Sequence, residues 1–391
     1  MLNTTYQQDT LPVLTTCDVV VIGGSFGGIA AAVELAQAGH SVTLVEPRTY
    51  LGREITATLR SWLRVPDKTH LPALIASSLQ TAGKSQNGID YAFNMDTLKI
   101  HLEDVLLNAG VKILYASLVV GVQAQGNVLQ GVIIGNKSGR QVIQCRLLLD
   151  TSETALVARA LNAEFEPAPS ETMPYKRTLE FDDVGSALDL SQPLVLGEIQ
   201  ATFHNGYRDK GHVLVECSLN LPCSLENAFD ISRRETLARH QTMEFASRLV
   251  HEIPAFASAY LSGASYELYG MHAPRLVKNT PEWIKAFAAV ELHVDQPLQL
   301  ASFAGAIPGV WYLNEAVPLA AVEADAFYDP VFTSTIGAAL AQTLNAHWAV
   351  VSAKANSSSA PETALPNSTL EVREPYSPQR GRAYPRLPLI P

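Results

Sequence analysis

The chain has 391 residues, 47% of them apolar and 17% charged, and carries a formal net charge of −10. That length is long for one hydrophobic core and predicts two interleaved domains of a soluble globular enzyme. The acidic balance argues against nucleic acid and anionic membrane as partners.

Residues 1–16 are polar and are expected to form an arm or an extra strand. They lack a basic region followed by an apolar one, so no signal peptide is expected. No apolar stretch reaches membrane-spanning length, and the expected location is the cytoplasm. Residues 17–46 are the stretch around which the rest is organised. Val19, Val20, Val21 and Ile22 have the composition of a buried parallel strand. Gly23, Gly24, Ser25, Phe26, Gly27 and Gly28 form a turn, and residues 29–38 read as a helix stopped by Gly39. Residues 41–45 are a second strand, and Glu46 stands 18 residues after Gly28. Strand, glycine turn, helix, strand and acid make up a dinucleotide-binding unit. Gly23 permits the tight turn, and Gly28 lets helix and strand pack closely. The helix N-terminus offers free N–H groups and a positive dipole end to a pyrophosphate. Glu46 can accept hydrogen bonds from ribose hydroxyls. Ser25 stands at the middle glycine of G-x-G-x-x-G, where its hydroxyl could bond a phosphate oxygen.

Pro47, Arg48, Leu51, Gly52, Arg53 and Thr56 follow in an E-x-x-x-x-L-G-x-x-x-T arrangement. This pattern resembles the FAD-dependent oxidoreductases of the glutathione-reductase-like superfamily, in the branch with an acid, Leu-Gly-Gly and a Thr at this place. The resemblance implies FAD as cofactor and a loop running under the pyrophosphate to the flavin. Arg48 matches the basic position and Thr56 the hydroxyl position. Arg53 replaces the second glycine, and its alternative is a surface ion pair.

Residues 57–90 read as helices around Trp62 and residues 71–79, with a polar break at 83–88. Residues 94–110 form an amphipathic helix on Leu98, Leu102, Val105 and Leu106, stopped by Gly110. Strands are expected at 111–115, 117–123, 129–136 and 141–149, with turns between the last three. The order again resembles the FAD oxidoreductases, in which a β-meander interrupts the Rossmann sheet. The resemblance gives Val119 or Val120 a backbone contact with adenine and puts Thr151 near the dinucleotide.

Residues 165–300 read as an inserted α+β substrate domain, with strands at 191–203, 211–219 and 264–270 and a helix at 231–252 ended by Pro254. His204, His212 and His272 lie in or beside strands, where a lone histidine is more often structural than functional. His272, Tyr269 and Arg275 are the candidate catalytic residues, because this family often returns here from the substrate domain toward the flavin. His272 would be the base, Tyr269 would orient the substrate, and Arg275 would hold a carboxylate or an oxyanion.

Residues 308–315 resemble the family's late strand beside the ribityl chain, with Glu315 in the acid place. Thr333, Ser334 and Gly337 open a helix over 338–348 whose N-terminus is implied to face the flavin pyrimidine. Residues 352–391 are rich in Ser and Pro and read as an extension that wraps the surface or joins a homo-oligomer. Cys17, Cys145, Cys217 and Cys223 show no metal spacing, so core thiols and no metal site are expected.

The fold class is α/β: a Rossmann-like FAD-binding domain over 1–164 and 301–351, interrupted by a β-meander, with the insert at 165–300. The expected function is oxidation of a small-molecule substrate by hydride transfer to FAD, with oxygen or an external acceptor reoxidising the flavin. No second dinucleotide unit and no CxxxxC is present, which argues against a built-in NAD(P)H domain and a disulfide reductase. The alternatives are an FAD monooxygenase or halogenase of related fold, and a non-catalytic flavin-binding partner protein.

Overall fold

The computed structural model describes residues 11–167, 171–208, 211–223, 228–270, 275–277, 281–294, 298–319 and 324–353. Expectations for His272 and for the tail beyond 353 lie outside them.

The arm is strand β1, Val13–Thr16. Strand β2, Val19–Ile22, is buried along its whole length, as a β-branched run in a parallel sheet must be. Helix α1, Phe26–Gln37, begins at the glycine turn, and Ser25 is its N-cap. Strand β3, Val42–Val45, follows. A one-turn helix α2, Arg53–Thr56, starts at Gly52, whose φ of 70° suits glycine. Strand β4 is Trp62–Arg64. The sequence predicted a helix around Trp62; instead this short segment pairs with a hairpin. Helix α3, Ala73–Ala82, leads into that hairpin, β5 at Gly83–Ser85 and β6 at Asp90–Phe93. Helix α4, Met95–Asn108, buries Leu98, Leu102 and Leu106 at a four-residue spacing. Asn94 caps it, its Oδ1 accepting from the Thr97 N–H at 3.0 Å, a cap that contributes about 1 kcal/mol.

Strand β7, Lys112–Leu114, is followed by the meander: β8 at Leu118–Gln125, β9 at Val128–Asn136 and β10 at Gly139–Gln144. The expected single strand over 141–149 is two strands in two sheets. After β10 the chain leaves the meander, and β11, Leu147–Asp150, pairs with β2 instead. A short helix α5, Leu156–Ala160, follows.

The insert begins with β12, Thr172–Asp182, its longest strand and one that the sequence reading missed. Strands β13, Leu194–Leu196, and β14, Ile199–Asn205, replace one expected strand over 191–203. Strand β15 is Val213–Pro222 and helix α6 is Ala228–Glu252. Strands β16, Tyr260–Ala264, and β17, Tyr269–Gly270, both pair with β12. The minor strands β18, Glu291–Leu292, and β19, Leu298–Gln299, form a small ribbon. Strand β20, Val310–Tyr312, returns to the first sheet, and helices α7, Pro330–Ala346, and α8, Trp348–Val351, end the described chain.

The central sheet has the order β20-β11-β2-β3-β7 and is parallel at every pairing. Its strand C-termini, at Ile22, Val45, Asp150 and Tyr312, converge on one edge, where a doubly wound sheet binds its ligand. Helices α1 and α7 pack there at very short range. A Cβ on Gly337 would lie 2.3 Å from the Gly27 carbonyl oxygen. Gly337 therefore serves helix packing, a different role from the flavin contact expected of it.

The insert sheet has the order β13-β14-β15-β12-β16 and alternates with period two. Leu179, Phe181, Val215, Cys217, Ala201 and Phe203 form a core with Phe245 and Leu249 of α6. Lys176, Glu216 and His204 occupy the alternate positions. Hydrophobic contacts return to the first core at Leu276. Cys17, Cys145, Cys217 and Cys223 are all buried.

Candidate functional site

The glycine turn is held by neighbours that leave it no slack. Gly23 has a φ of 98°, and its N–H donates to Val45 O at 2.8 Å. The Thr151 hydroxyl donates to Ile22 O at 2.9 Å and to Gly23 O at 2.7 Å. A Cβ on Gly28 would lie 2.4 Å from that hydroxyl oxygen and 2.5 Å from Gly23 O. Thr151 is thus the staple of the turn, and its hydroxyl proton is committed. Ser25 Oγ accepts from the Gly28 N–H at 3.0 Å and so caps α1, a bond that does not use its hydroxyl proton.

Glu46 is buried at the end of β3. Its Oε2 accepts from the Gly24 N–H at 2.6 Å, and its Oε1 accepts from the Arg48 N–H at 2.9 Å and Nη1 at 3.1 Å. Arg48 also pairs with Glu153 and Glu267. Burial lowers the proton affinity of its guanidinium, but these carboxylates outweigh burial and hold Arg48 firmly protonated. Pro47 is half-buried beside it.

The loop after Leu51 carries the arrangement that the sequence reading only half anticipated. Gly52 N–H donates to Gly24 O at 2.7 Å, docking the loop on the turn. Arg53 is buried rather than a surface ion pair. Its Nη2 meets Glu315 at 2.8 Å, Nη1 meets Glu153 at 3.4 Å, and its guanidinium carbon lies 5.5 Å from the Tyr328 ring centre. Burial disfavours the cation, yet Glu315, Glu153 and Glu54 together hold it well above the ordinary arginine value. Glu54 is 1% exposed, and its Oε1 accepts from the Phe26 N–H at 3.0 Å. Burial pushes its carboxyl up to about 7 against the opposing pull of Arg53. Thr56 spends its hydroxyl on Leu51 O and Gly52 O at 2.6 and 2.9 Å. Glu315, expected beside the ribityl chain, pairs here with Arg53.

Helix α7 starts at Pro330 with Asp329 as N-cap, whose Oδ1 accepts from Val331 N–H at 2.8 Å. The start expected at Thr333 or Ser334 is one turn late. The hydroxyl of Thr333 donates back to Asp329 O at 3.0 Å, and Ser334 is buried. Pro330 at N1 explains the earlier start, since its missing N–H costs nothing there. Val119 pairs with Ile134, and a bulge between Val119 and Gly121 leaves Val120 out of the ladder and half-exposed.

A cavity of about 360 Å³ opens beside Glu54 and Ile55. Trp62, Tyr269 and Tyr328 supply aromatic walls, while Arg60, Lys176 and Asp329 supply charge. Leu59, just before Arg60, has a left-handed φ of 54°, a backbone conformation that costs an L-residue about 1 kcal/mol. Behind the wall, Glu216 gathers Arg60 Nε at 3.1 Å, Lys176 Nζ at 2.5 Å and the Tyr269 hydroxyl at 2.5 Å. Burial raises the Glu216 carboxyl, but Arg60 and Lys176 outweigh it and keep it ionised. Tyr269 is pushed well above the ordinary phenol value by burial and by Glu216, so it acts as a hydrogen-bond donor.

Tyr269, expected to orient the substrate, lines the cavity. Arg275 is not among the cavity's lining residues; its carbonyl accepts from Glu166 N–H at 2.7 Å. His272 lies outside the described residues. His212 is a satisfied structural histidine. Its Nδ1 accepts from Arg208 N–H at 3.0 Å and its Nε2 meets Glu180 at 2.7 Å. His204 stacks on Trp62 with ring centres 3.8 Å apart, and burial lowers it to about 4. Glu54, Arg60, Trp62 and Glu216 were missed by sequence reasoning. A lone acid inside the apolar run Val213–Pro222 was the available signal for Glu216.

The residues present fit a bound dinucleotide. Glu46 stands at the end of β3, the α1 N-terminus faces the same edge, and Arg53 Nε, Glu54 Oε2 and Ser334 Oγ are buried polar atoms with no partner. Buried groups of this kind are costly unless something satisfies them, and a polar ligand does so.

Comparison with known proteins agrees. Residues 18–168 match the family described as FAD dependent oxidoreductase. Among curated proteins, 40 residues are 48% identical to the 4,4'-diaponeurosporene oxygenase of Staphylococcus aureus, a match covering 10% of this chain and 8% of that one. A geranylgeranyl bacteriochlorophyll reductase-like protein from Thermoplasma acidophilum is similar in structure, with a TM-score of 0.54, 14% identity, and 86% of this chain and 79% of that chain covered. The anhydrotetracycline hydroxylase OxyS from Streptomyces rimosus gives a TM-score of 0.52 at 10% identity, covering 85% and 63%. The flavin-dependent brominase Bmp2 gives 0.52 at 12% identity, covering 85% and 80%. At these identities the structures share the fold. The matched residues 18–168 include the glycine turn, so this part of the chain is similar to the FAD-dependent oxidoreductases; the protein is an oxidoreductase with FAD as its cofactor.

Proposed function

We propose that the chain oxidises a small, flat, largely apolar organic molecule bound in the cavity beside Glu54, with FAD as hydride acceptor and oxygen or an external acceptor reoxidising the flavin. The finer affiliation, with the glutathione-reductase-like superfamily, rests on Leu51, Gly52 and Thr56 following Glu46. The observation that carries the reading is the cavity. It joins the cofactor loop at Glu54 and Ile55 to aromatic walls from β4, β17 and the segment before α7. FAD supplies a two-electron acceptor when bound. The protein's own part is to position and to exclude water. Trp62 and Tyr328 line the cavity with aromatic surface suited to a planar substrate. Arg60 and Lys176 share Glu216, Arg64 pairs with Asp90, and Asp329 adds a further carboxylate, so the charges of the walls roughly cancel. Tyr269 keeps its proton on Glu216, which favours a positioning role over that of a base.

A second reading, a flavin monooxygenase or halogenase, draws on the same fold in the hydroxylase and the brominase. One experiment separates the two. Purified, flavin-loaded protein is mixed anaerobically with candidate substrates, and flavin absorbance is followed. Bleaching by substrate alone supports oxidation by hydride transfer. Bleaching only by a reduced nicotinamide, with labelled oxygen from O₂ or a halogen entering the product, supports the second reading and rejects the first.

A further inference from the structure

We infer that Glu54 is a cofactor-binding residue that meets the FAD pyrophosphate as a neutral carboxyl, so that FAD binding takes up one proton. This rests on FAD as the cofactor and not on the oxidation proposed above. The start of α1 presents amides to an anion, and one of them, the Phe26 N–H, is already held by Glu54 Oε1 at 3.0 Å. The carboxylate stands in for a phosphate oxygen. Its other oxygen, Oε2, is buried and has no partner.

When a pyrophosphate takes the turn amides, an ionised Glu54 loses the Phe26 donor and faces a second anion. A protonated Glu54 has an O–H to give to a phosphate oxygen. The proton comes from solvent through the cavity that Glu54 lines, and it goes to the carboxyl; no bond other than O–H forms.

The charged groups around Glu54 support this direction. Arg53, its neighbour, is shared with Glu315 after β20 and Glu153 after β11. Glu46 at the end of β3 is served by Arg48. Arg60 and Lys176, across the cavity, are held by Glu216, Arg64 in the wall pairs with Asp90 at 3.5 Å, and Asp329, Tyr269 and Tyr328 also line the cavity. No described cation is left to Glu54 alone, and burial raises its carboxyl to about 7, so its proton is within reach near neutral pH.

The test is FAD affinity against pH, measured on full-length apoprotein by quenching of flavin fluorescence. Between pH 6.5 and 8.5 the dissociation constant should rise about tenfold or more for the parent, as linkage to one proton requires. Glu54→Gln carries an amide that donates at every pH, so its dissociation constant should change by less than about threefold over the same range. Titration calorimetry of the parent at pH 8 in two buffers of different ionisation enthalpy needs no variant, and should show uptake approaching one proton per FAD. A flat pH profile with no proton exchange in the parent overturns the inference, as does a Gln variant with the parent's slope. A protein that takes up no flavin at any pH overturns the cofactor assignment itself.

Discussion

Two buried acids hang on the same glycine turn and have opposite surroundings. Glu46 accepts from the Gly24 amide and fills its second oxygen with the Arg48 backbone and guanidinium. Glu54 accepts from the Phe26 amide, leaves one oxygen bare, and has only a share of Arg53. The difference separates a finished part of the site from an unfinished one. Glu46 belongs to a scaffold whose hydrogen bonds close among themselves. Glu54 and its neighbour Arg53 have polar atoms still to be paired, which is where a cofactor contributes to the fold.

The most severe way to break the comparison is Gly28→Val. The new side chain meets the Thr151 hydroxyl and the Gly23 carbonyl at distances no Cβ occupies, so the turn has to move and both acids lose their amides together. Overpacking against backbone costs about 1–3 kcal/mol or more. We expect loss of bound flavin and a marked fall in melting temperature. A folded variant with a full complement of flavin would mean that the turn is placed wrongly.

Arg53→Ala acts on one side only. It leaves Glu315 and Glu54 buried without their shared cation, and removing one partner of a buried ion pair costs about 3–5 kcal/mol. Chemical denaturation should show a loss of that order. Arg53→Ala with Glu315→Gln should recover part of it, because the stranded charge is then gone. An equal loss in the single and double variants would assign the effect to packing.

Glu54→Gln sharpens the contrast through pH. The folded protein holds the Glu54 proton up to about 7, while an unfolded glutamate releases it near 4.3. The folded state therefore binds more protons in that window, and its stability falls as pH rises from about 4.3 to about 7. The loss for the flavin-free protein is about 3–4 kcal/mol, since each pH unit separating the two values is worth roughly 1.4 kcal/mol. Asp150, raised by burial to about 6, has the same sign, so the informative quantity is parent minus variant. Melting temperatures measured across pH 4.5–8 should converge at the acid end and favour the Gln variant at the alkaline end. Parallel curves would remove Glu54 as the titrating group.

The scaffold half of this comparison was legible in the sequence, and the unfinished half was not. Val19 to Ile22, the glycine turn and Glu46 are contiguous, and their roles follow from local geometry, so spacing alone announced them. Asn94 and Gly110 bounded α4 for the same reason. The Arg53–Glu315 pair spans 262 residues, and no local rule joins the two positions. Trp62 was read as helical because short strands carry too few residues to show a period; pairing with β6 decided it. The break between β10 and β11 falls at Cys145 and Arg146, and a single charged residue between two apolar segments reads as an ordinary strand position facing solvent. Glu54 sat in a polar loop where an acid is ordinary, and only burial and the Phe26 amide make it unusual.

The smallest expected effect is the control. Ser25→Gly touches neither acid. It removes the hydroxyl that accepts from Gly28 N–H at the start of α1 and restores the glycine common at this place in dinucleotide turns. Glycine is itself an acceptable N-cap, and replacing Ser by Gly there costs only a few tenths of a kcal/mol. The backbone at Ser25 has a φ of −68° and a ψ of 162°, which glycine adopts without strain. Melting temperature should fall by no more than a degree or two, and flavin affinity should stay within about threefold of the parent at every pH. A loss of tenfold or more in FAD affinity would show that Ser25 leaves its capping bond to hold a phosphate oxygen when the cofactor binds. The closed network assigned to the scaffold would then have to include a second group that changes partners on binding, alongside Glu54.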